Sequence, residues 1–525
     1  MFDFTPGQAA SLPRFMLKKK PKPKQEAALD TLSSRALETA RLKGAQYADI
    51  RVVHTTDQSL SVKNGVVDGL SSSESLGFGV RVLVDGAWGF ASSRELTAAE
   101  VDKVTDLAVK IAKASALVRG DPVRLGPPVT SRGAYTTPIQ IDPFTIPIED
   151  KLALLMQADA AMGRVKPALP HGGASRSGAE GDVRVRSGNM VFIKEHKTFA
   201  NSEGADTEQT IYEAGAAIEA TAVGGPSGEV QRRSYPDAFR QQGTAGWEYV
   251  LAMDLPGNAE RIATEAVQLL TADPCPSNIV TTVILGSQQL ALQIHESCGH
   301  PIELDRVFGT EAAFAGTSFL TTEKLNNFRY GSEFVNLTAE SVRPTGLGTF
   351  GWDDEGVPAG STPIVREGKF VGYLMSRETA PLLGLTSNGC MRASGWNRIP
   401  LIRMTNVSIQ PGTWDFDDLI AQTDDGIYME TNRSWSIDDK RYNFQFGTEM
   451  GYEIKKGKLG RMLRNCTYTG ITPEFWNACD AVCNEKYWTM WGTPNCGKGQ
   501  PGQIAHTGHG AAPARFRNVK VGVLK

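Results

Sequence analysis

His295 and His300 stand five residues apart, with Glu296 directly after the first, and this spacing restricts the backbone more than any other feature of the chain. On a regular α-helix five residues turn through about 500°, which leaves the second imidazole roughly 140° around the axis from the first. Histidines four apart, as in HExxH, return to one face and can share a metal. Histidines five apart on a straight helix cannot. If the helix absorbs one extra residue as a π-turn, pairing residue i with i+5, His300 falls back beneath His295, and Gly299 is best able to accommodate the distortion. The sequence therefore predicts a π-bulge or helix break at Cys298 or Gly299. Two imidazoles bracketing a carboxylate are the elements of a hydrolytic zinc site. The competing reading is a pair of histidines that cap a helix end or hydrogen-bond in the core.

The flanking sequence supplies a frame for this motif. Ile279 to Leu285 reads as a buried β-branched strand, Gly286 as a turn and Ser287 as an N-cap, with Leu290, Leu292 and Ile294 carrying a helix toward His295. A catalytic zinc usually takes three protein ligands and one water. The third could be Cys466, Cys496, His506, His509, or an acidic residue such as Glu303, Asp305 or Asp354. Cys496 lies among small, flexible neighbours where Lys498 would favour the thiolate, although a free loop thiol reads equally well. His506 and His509 form HxxH in a glycine-rich stretch and are as plausible as surface or groove histidines. Cys298 is expected to pack behind the metal.

At 525 residues the chain has room for several domains. Lys plus Arg total 55 against 58 Asp plus Glu, so a net charge of −3 offers no electrostatic reason to bind nucleic acid or an anionic membrane. A peptide or small molecule fits better. No apolar run approaches the ~20 residues needed to cross a bilayer. Seven irregularly spaced cysteines argue against a disulfide framework and for a reducing compartment, the cytoplasm by default.

Along the chain, residues 1–25 read as a flexible basic leader with no secretory apolar core, and 26–119 as an α+β unit. Its strands are expected over Asp49–Val53, Ser59–Lys63, Val66–Leu70, Gly77–Val84 and Ala87–Ala91, turning at Asn64-Gly65 and Asp85-Gly86, with a capping box at Thr97 to Glu100. Residues 120–273 form a middle domain that begins with a proline-rich linker to Pro147. A helix follows from about Ile148 to Met162, then strands around Val183–Lys194 and Ile211–Val223, and a helix near Asn258–Leu270. Residues 274–525 form the domain that would bind the metal, with a hairpin signal at Lys456-Gly457. The fold class is α+β: a mixed N-terminal region followed by a large β-rich C-terminal domain carrying the HExxxH helix.

With these residues in view, the chain resembles the TldD/PmbA peptidases over nearly its whole length. The resemblance rests on His295-Glu296 and Gly299-His300, on Tyr47-Ala48-Asp49-Ile50-Arg51, Gly79-Val80-Arg81-Val82 and Gly86 to Ala91, and on Asp353-Asp354-Glu355-Gly356, Arg403-Met404-Thr405-Asn406 and Cys496 to Gln500. It implies one zinc ion bound by His295, His300 and Cys496, and the catalytic type of subunit. Glu296 is then the general base, and Arg403, Asn406, Asp354, His506 and His509 are candidate substrate contacts. It further implies a sequestered cavity between subunits that takes unfolded or extended peptides, in a homodimer or a heterodimer with a motif-lacking PmbA/TldE-like relative. His506 and His509 depart from the small or apolar residues expected there, and the lysine-rich leader is unusual. The alternative is a non-catalytic peptide-binding subunit whose metal is structural, which a fourth protein ligand such as His506 or His509 would favour. A metal hydrolase of non-peptide amides would use the same residues.

Overall fold

Two long hairpins lie edge to edge at the centre of the N-terminal half. The computed structural model describes residues 24–118, 120–165, 181–224 and 228–522. Helix α1 (Lys24–Leu42) precedes β1 (Tyr47–Lys63), β2 (Val66–Val84), β3 (Ala87–Ser93) and α2 (Ala98–Ala116). Asn64-Gly65 turns the first hairpin with both residues at positive φ, 48° and 77°, as the dipeptide predicts. Asp85-Gly86 turns the second in the same way. The two short strands expected over 49–63 are one 17-residue strand. Its polar centre, residues 54–58, is paired with β2 on one side and β5 on the other, so hydrogen bonding sustains a strand that side-chain alternation does not reveal. Thr97 caps α2 by accepting from the Glu100 amide at 3.3 Å.

β4 (Arg132–Thr136) comes from the stretch read as a linker. It contains no proline and pairs in parallel with β6, so the proline-rich passage is tied to the edge of a sheet. After α3 (Ile148–Gly163), β5 (Asp182–Asn201) and β6 (Asp206–Gly224) form the second long hairpin, followed by β7 (Glu229–Tyr235), β8 (Gln241–Gly243), α4 (Trp247–Ala252) and α5 (Leu255–Leu269). The pairings join the N-terminal and middle stretches in one eight-stranded sheet, ordered β3-β2-β1-β5-β6-β4 with β7 and β8 also on β6. Leu155 and Met162 of α3, Phe192 of β5, Trp247, and Ile262 and Ala266 of α5 pack into the core on this part of the sheet.

Beyond β9 (Asp273–Pro274), β10 (Ile279–Leu285) occupies the residues predicted for it. It is followed by α6 (Ser287–Ile294), which leads into the histidine motif, and α7 (Leu304–Val307). A six-stranded sheet then begins with β11 (Leu337–Glu340), β12 (Ser361–Arg366) and β13 (Lys369–Phe370). The small pair β14 (Met391–Arg392) and β15 (Leu401–Ile402) precedes β16 (Asn406–Ile409). Next come β17 (Asp425–Ile437), β18 (Asn443–Lys455), β19 (Lys458–Arg464), β20 (Thr467–Ile471), β21 (Cys479–Val482), β22 (Thr489–Lys498), β23 (Gln503–Ala511) and β24 (Ala514–Val521). Lys456-Gly457 forms the predicted turn between β18 and β19, again with φ positive at both residues.

The pairings β17–β10–β24–β20–β18 return to β17, so five strands close into a ring. The other sheet runs β13-β12-β11-β16-β23-β22, and α6 packs against β17 of the ring and against β16 and β23 of this sheet. Where the N-terminal sheet meets the C-terminal region, the charges are buried and paired. Arg81 binds Asp49 at 2.7 Å and reaches Glu355 at 3.4 Å, while Asp354 takes Arg51 at 3.2 Å and Lys197 at 2.7 Å.

The fully buried Phe516 of β24 stacks on Phe475 at 4.1 Å between ring centroids. Phe516→Ala should cost about 3–5 kcal/mol, visible as a lower denaturant midpoint with an unchanged slope; an unchanged midpoint would remove this packing from the account.

Candidate metal centre

The helix entering the site is capped by Gly286, in extended backbone, and not by Ser287, which is its first residue. A Cβ at Gly286 would lie 2.9 Å from the Tyr428 hydroxyl and 3.1 Å from Glu430 Cβ, so close packing on β17 selects glycine over a side-chain cap. Regular helix ends at Ile294, and His295–Gly299 form a π-turn closed by the His300 amide donating to the His295 carbonyl at 3.2 Å. This is the i→i+5 bond that the histidine spacing requires. Gly299 packs so closely that an added Cβ would sit 2.0 Å from Met404 Sδ.

The result is a pair of perpendicular imidazoles with ring centroids 4.9 Å apart. Cys496 Sγ lies 3.7 Å from His300 Nε2, and the ligand atoms of His295, His300 and Cys496 all fall within 4.8 Å of one another. Cys496 arrives on β22 just after a bulge in its pairing with β23. The buried Arg403 holds that strand, donating to the Cys496 carbonyl at 2.5 Å and the Gln503 carbonyl at 3.3 Å.

Hydrogen bonds behind the histidines set their tautomers. His509 Nδ1 donates to the Val407 carbonyl at 3.0 Å, so its Nε2 bears the lone pair and accepts from His295 Nδ1 at 2.7 Å. Nε2 of His295 is then left as a metal-binding lone pair. His300 Nδ1 donates to Glu303 at 3.0 Å, which likewise leaves Nε2 as the donor atom beside Cys496. Burial lowers the pKa of all three imidazoles and keeps them neutral. Burial opposes ionisation of Cys496, but its interaction with the His300 ring and the charge of Arg403 outweigh it and bring the thiol below its ordinary range. Lys498 does not do this directly. Its ammonium points away, to Asp305 at 2.7 Å, Glu303 at 3.4 Å and Glu311 at 3.6 Å, behind His300.

Glu296 faces a cavity of about 260 Å³ together with the three ligands. Its Oε2 accepts from Arg441 at 2.5 Å, and Arg441 sits in left-handed backbone (φ 64°) in the turn between β17 and β18. Sequence reasoning missed Arg441, which lies 145 residues from Glu296 in a polar turn and carries no periodic or motif signal. The other residues singled out by sequence lie elsewhere. His509 is buried behind His295, and His506 pairs with Glu213 at 2.7 Å. Arg403 orients β22; Asn406 bridges the Gly348 amide and Thr349 hydroxyl; Asp354 belongs to the buried junction with Arg51 and Lys197. None of these five is among the residues lining the cavity. Cys466 and Cys298 are buried in the core, the latter with its thiol pushed up to about 12 by desolvation. Among the described residues the metal-binding group therefore numbers three.

Comparison with known proteins gives matches along most of the chain. The models of the PmbA/TldA metallopeptidase domain 1, central domain and C-terminal domain match residues 48–112, 141–272 and 279–523. The chain belongs to the PmbA/TldD metallopeptidase family. A metalloprotease of Methanothermobacter thermautotrophicus is 28% identical over 479 residues, 91% of this chain and 95% of that one. A Saccharolobus solfataricus protein named zinc metalloprotease TldD homolog is 25% identical over 241 residues, 46% of this chain and 51% of its own. Among solved structures, TldE from Thermococcus kodakarensis shares the fold, with a TM-score of 0.68 at 18% identity, covering 94% of this chain and 100% of its own. As a PmbA/TldD peptidase, the chain is a hydrolase with a metal cofactor, and the two imidazoles and one thiolate suit that role.

His509→Ala removes the acceptor that fixes His295, so metal affinity should fall about 10–100-fold in competition with a chromophoric chelator; full retention would show that His509 does not hold the tautomer. Gly299→Ala must displace Met404 or the π-turn, and its purified metal content should fall well below that of the wild type.

Proposed function

We propose that this chain is a zinc-dependent peptidase that hydrolyses unfolded or extended peptides in a sequestered cavity between subunits, with Glu296 as general base. The observation that carries the reading is the convergence of three ligand atoms and a carboxylate on one cavity wall. His506 and His509 are engaged elsewhere, so neither closes the set to four, and a three-ligand site is the pattern of catalytic zinc. The mixed imidazole and thiolate donors favour zinc, and one relative is named a zinc metalloprotease. A zinc ion held there would supply the Lewis acidity that makes water nucleophilic at neutral pH.

The chain's own residues supply the rest. Arg441 holds Glu296 Oε2, while Oε1 has no hydrogen-bond partner among the described residues. That oxygen takes a proton from the attacking water, and the same carboxyl group returns it to the leaving amine. His509 and Glu303 keep both imidazoles in the tautomer that presents Nε2. The proposed assembly is a homodimer or a heterodimer with a motif-lacking PmbA/TldE-like relative. Seven cysteines without a disulfide support a reducing compartment such as the cytoplasm. No described helix is long and apolar enough to cross a membrane.

Metal analysis by mass spectrometry, paired with an assay on an unstructured peptide, tests this reading. Wild type should carry near-stoichiometric zinc and lose activity to a chelator, and His295→Ala and Cys496→Ala should lose both metal and cleavage. Glu296→Gln should keep the metal and lose cleavage by about 10²–10⁴-fold; near-wild-type hydrolysis by this variant would refute the general-base role. A globular protein should resist until denatured, and equal rates before and after would count against a sequestered site.

A further inference from the structure

The metal cavity holds a charge that the hydrolytic reading does not use. Asp237, in the short connection between β7 and β8, lines the same cavity as the three ligands, Glu296 and Arg441. This connection is held in place: Tyr235 donates to the Met253 carbonyl at 2.8 Å, and Gln288 of α6 donates to the Pro236 carbonyl at 3.3 Å. One oxygen of Asp237 accepts from the neighbouring Ala238 amide at 2.8 Å, and among the described residues the carboxylate has no cationic partner.

Nearby cations are committed elsewhere. Arg233 is bound to Glu265, Glu430 and Glu449, and Arg232 to Glu449. Arg240 turns to Gln242 and Asn189, and Arg441 is held by Glu296. Beside Asp237, Phe239 and Trp435 meet edge to face at 5.4 Å and remain 37% and 42% exposed, so they offer ring faces to a ligand.

A half-buried carboxylate with no cationic partner among the described residues is costly to keep ionised, and desolvation pushes the Asp237 pKa up to about 7. A cation entering the cavity would lower that cost, and aromatic faces attract cations and the apolar stems of basic side chains. We propose that Asp237, with Phe239 and Trp435, forms a specificity subsite for a cationic group of the peptide substrate, an ammonium or guanidinium. This inference rests on the peptidase reading and adds a preference to it.

The test uses one unstructured peptide in three forms: free N-terminus with an internal Lys, the same peptide N-acetylated, and the same peptide with Lys replaced by norleucine. Binding to the full-length Glu296→Gln protein is followed by fluorescence anisotropy, and kcat/KM is measured on the wild type. Removing the recognised cation should weaken binding about 10-fold, the scale of one charge-assisted hydrogen bond. Adding Asp237→Asn should bring that ratio close to one. Loss on acetylation identifies an α-ammonium as the ligand, and loss on Lys replacement identifies a basic side chain. Asp237→Lys should reverse the preference toward a peptide carrying Glu in place of Lys, a gain that misfolding cannot imitate. Equal binding of all three peptides, or a ratio that survives Asp237→Asn, overturns the subsite. A metal-loaded wild type that cleaves none of the peptides defeats the peptidase reading instead, and the anisotropy ratios still decide the subsite.

Discussion

The hydrogen bond from the His300 amide to the His295 carbonyl is the constraint from which the rest of the centre follows. A helix that continued in regular register would carry one imidazole into the site and the other into the core. By widening for one turn, the backbone stacks two rings at right angles, sets Glu296 beside them and turns Cys298 inward. The distortion persists because its surroundings leave little room for another path: Gly299 lies against Met404, Ser297 accepts from the buried Trp476 at 2.9 Å, and its carbonyl accepts from Tyr330 at 3.0 Å.

The network behind the rings is as organised as the ligand set. His295 is backed by His509 and a backbone carbonyl, and His300 by Glu303 and then Lys498, which also joins Asp305 and Glu311. Removing one member of so buried a polar group leaves the others unpaired, which costs several kcal/mol and fixes ring orientation strongly. Lys498 is two residues from Cys496, so the strand bringing the thiolate also brings the cation that anchors the far side of His300. Ligand placement and tautomer selection are thus coupled through one short segment.

Features that depend on local periodicity were legible in the sequence. The strand Ile279–Leu285, the turns at Asn64-Gly65 and Lys456-Gly457, the Thr97 cap and the π-turn all follow from residue spacing or turn chemistry. Features set by partners distant in sequence were not. The polar middle of β1 is a strand because two neighbours bond it, and Gly286 replaces a serine cap because β17 presses on it. Asp354 is a candidate ligand by residue type and a candidate substrate contact by the family resemblance. In the fold it is a joint, locked to Arg51 and Lys197 where two parts of the molecule meet. Arg441 and Asp237 are single charged residues in turns, and only tertiary closure gives them a cavity to face.

The third ligand position follows the second by 196 residues and lies on β22 of the six-stranded sheet, whereas the second ends the π-turn after α6. Metal affinity is therefore a property of the finished fold. An ion held by these three side chains would fasten β22 to the end of α6 and would stabilise the native state in proportion to the logarithm of its free concentration. The centre thus acts as a gauge of completion: in a chain still folding, the two imidazoles and the thiol have not yet been brought together.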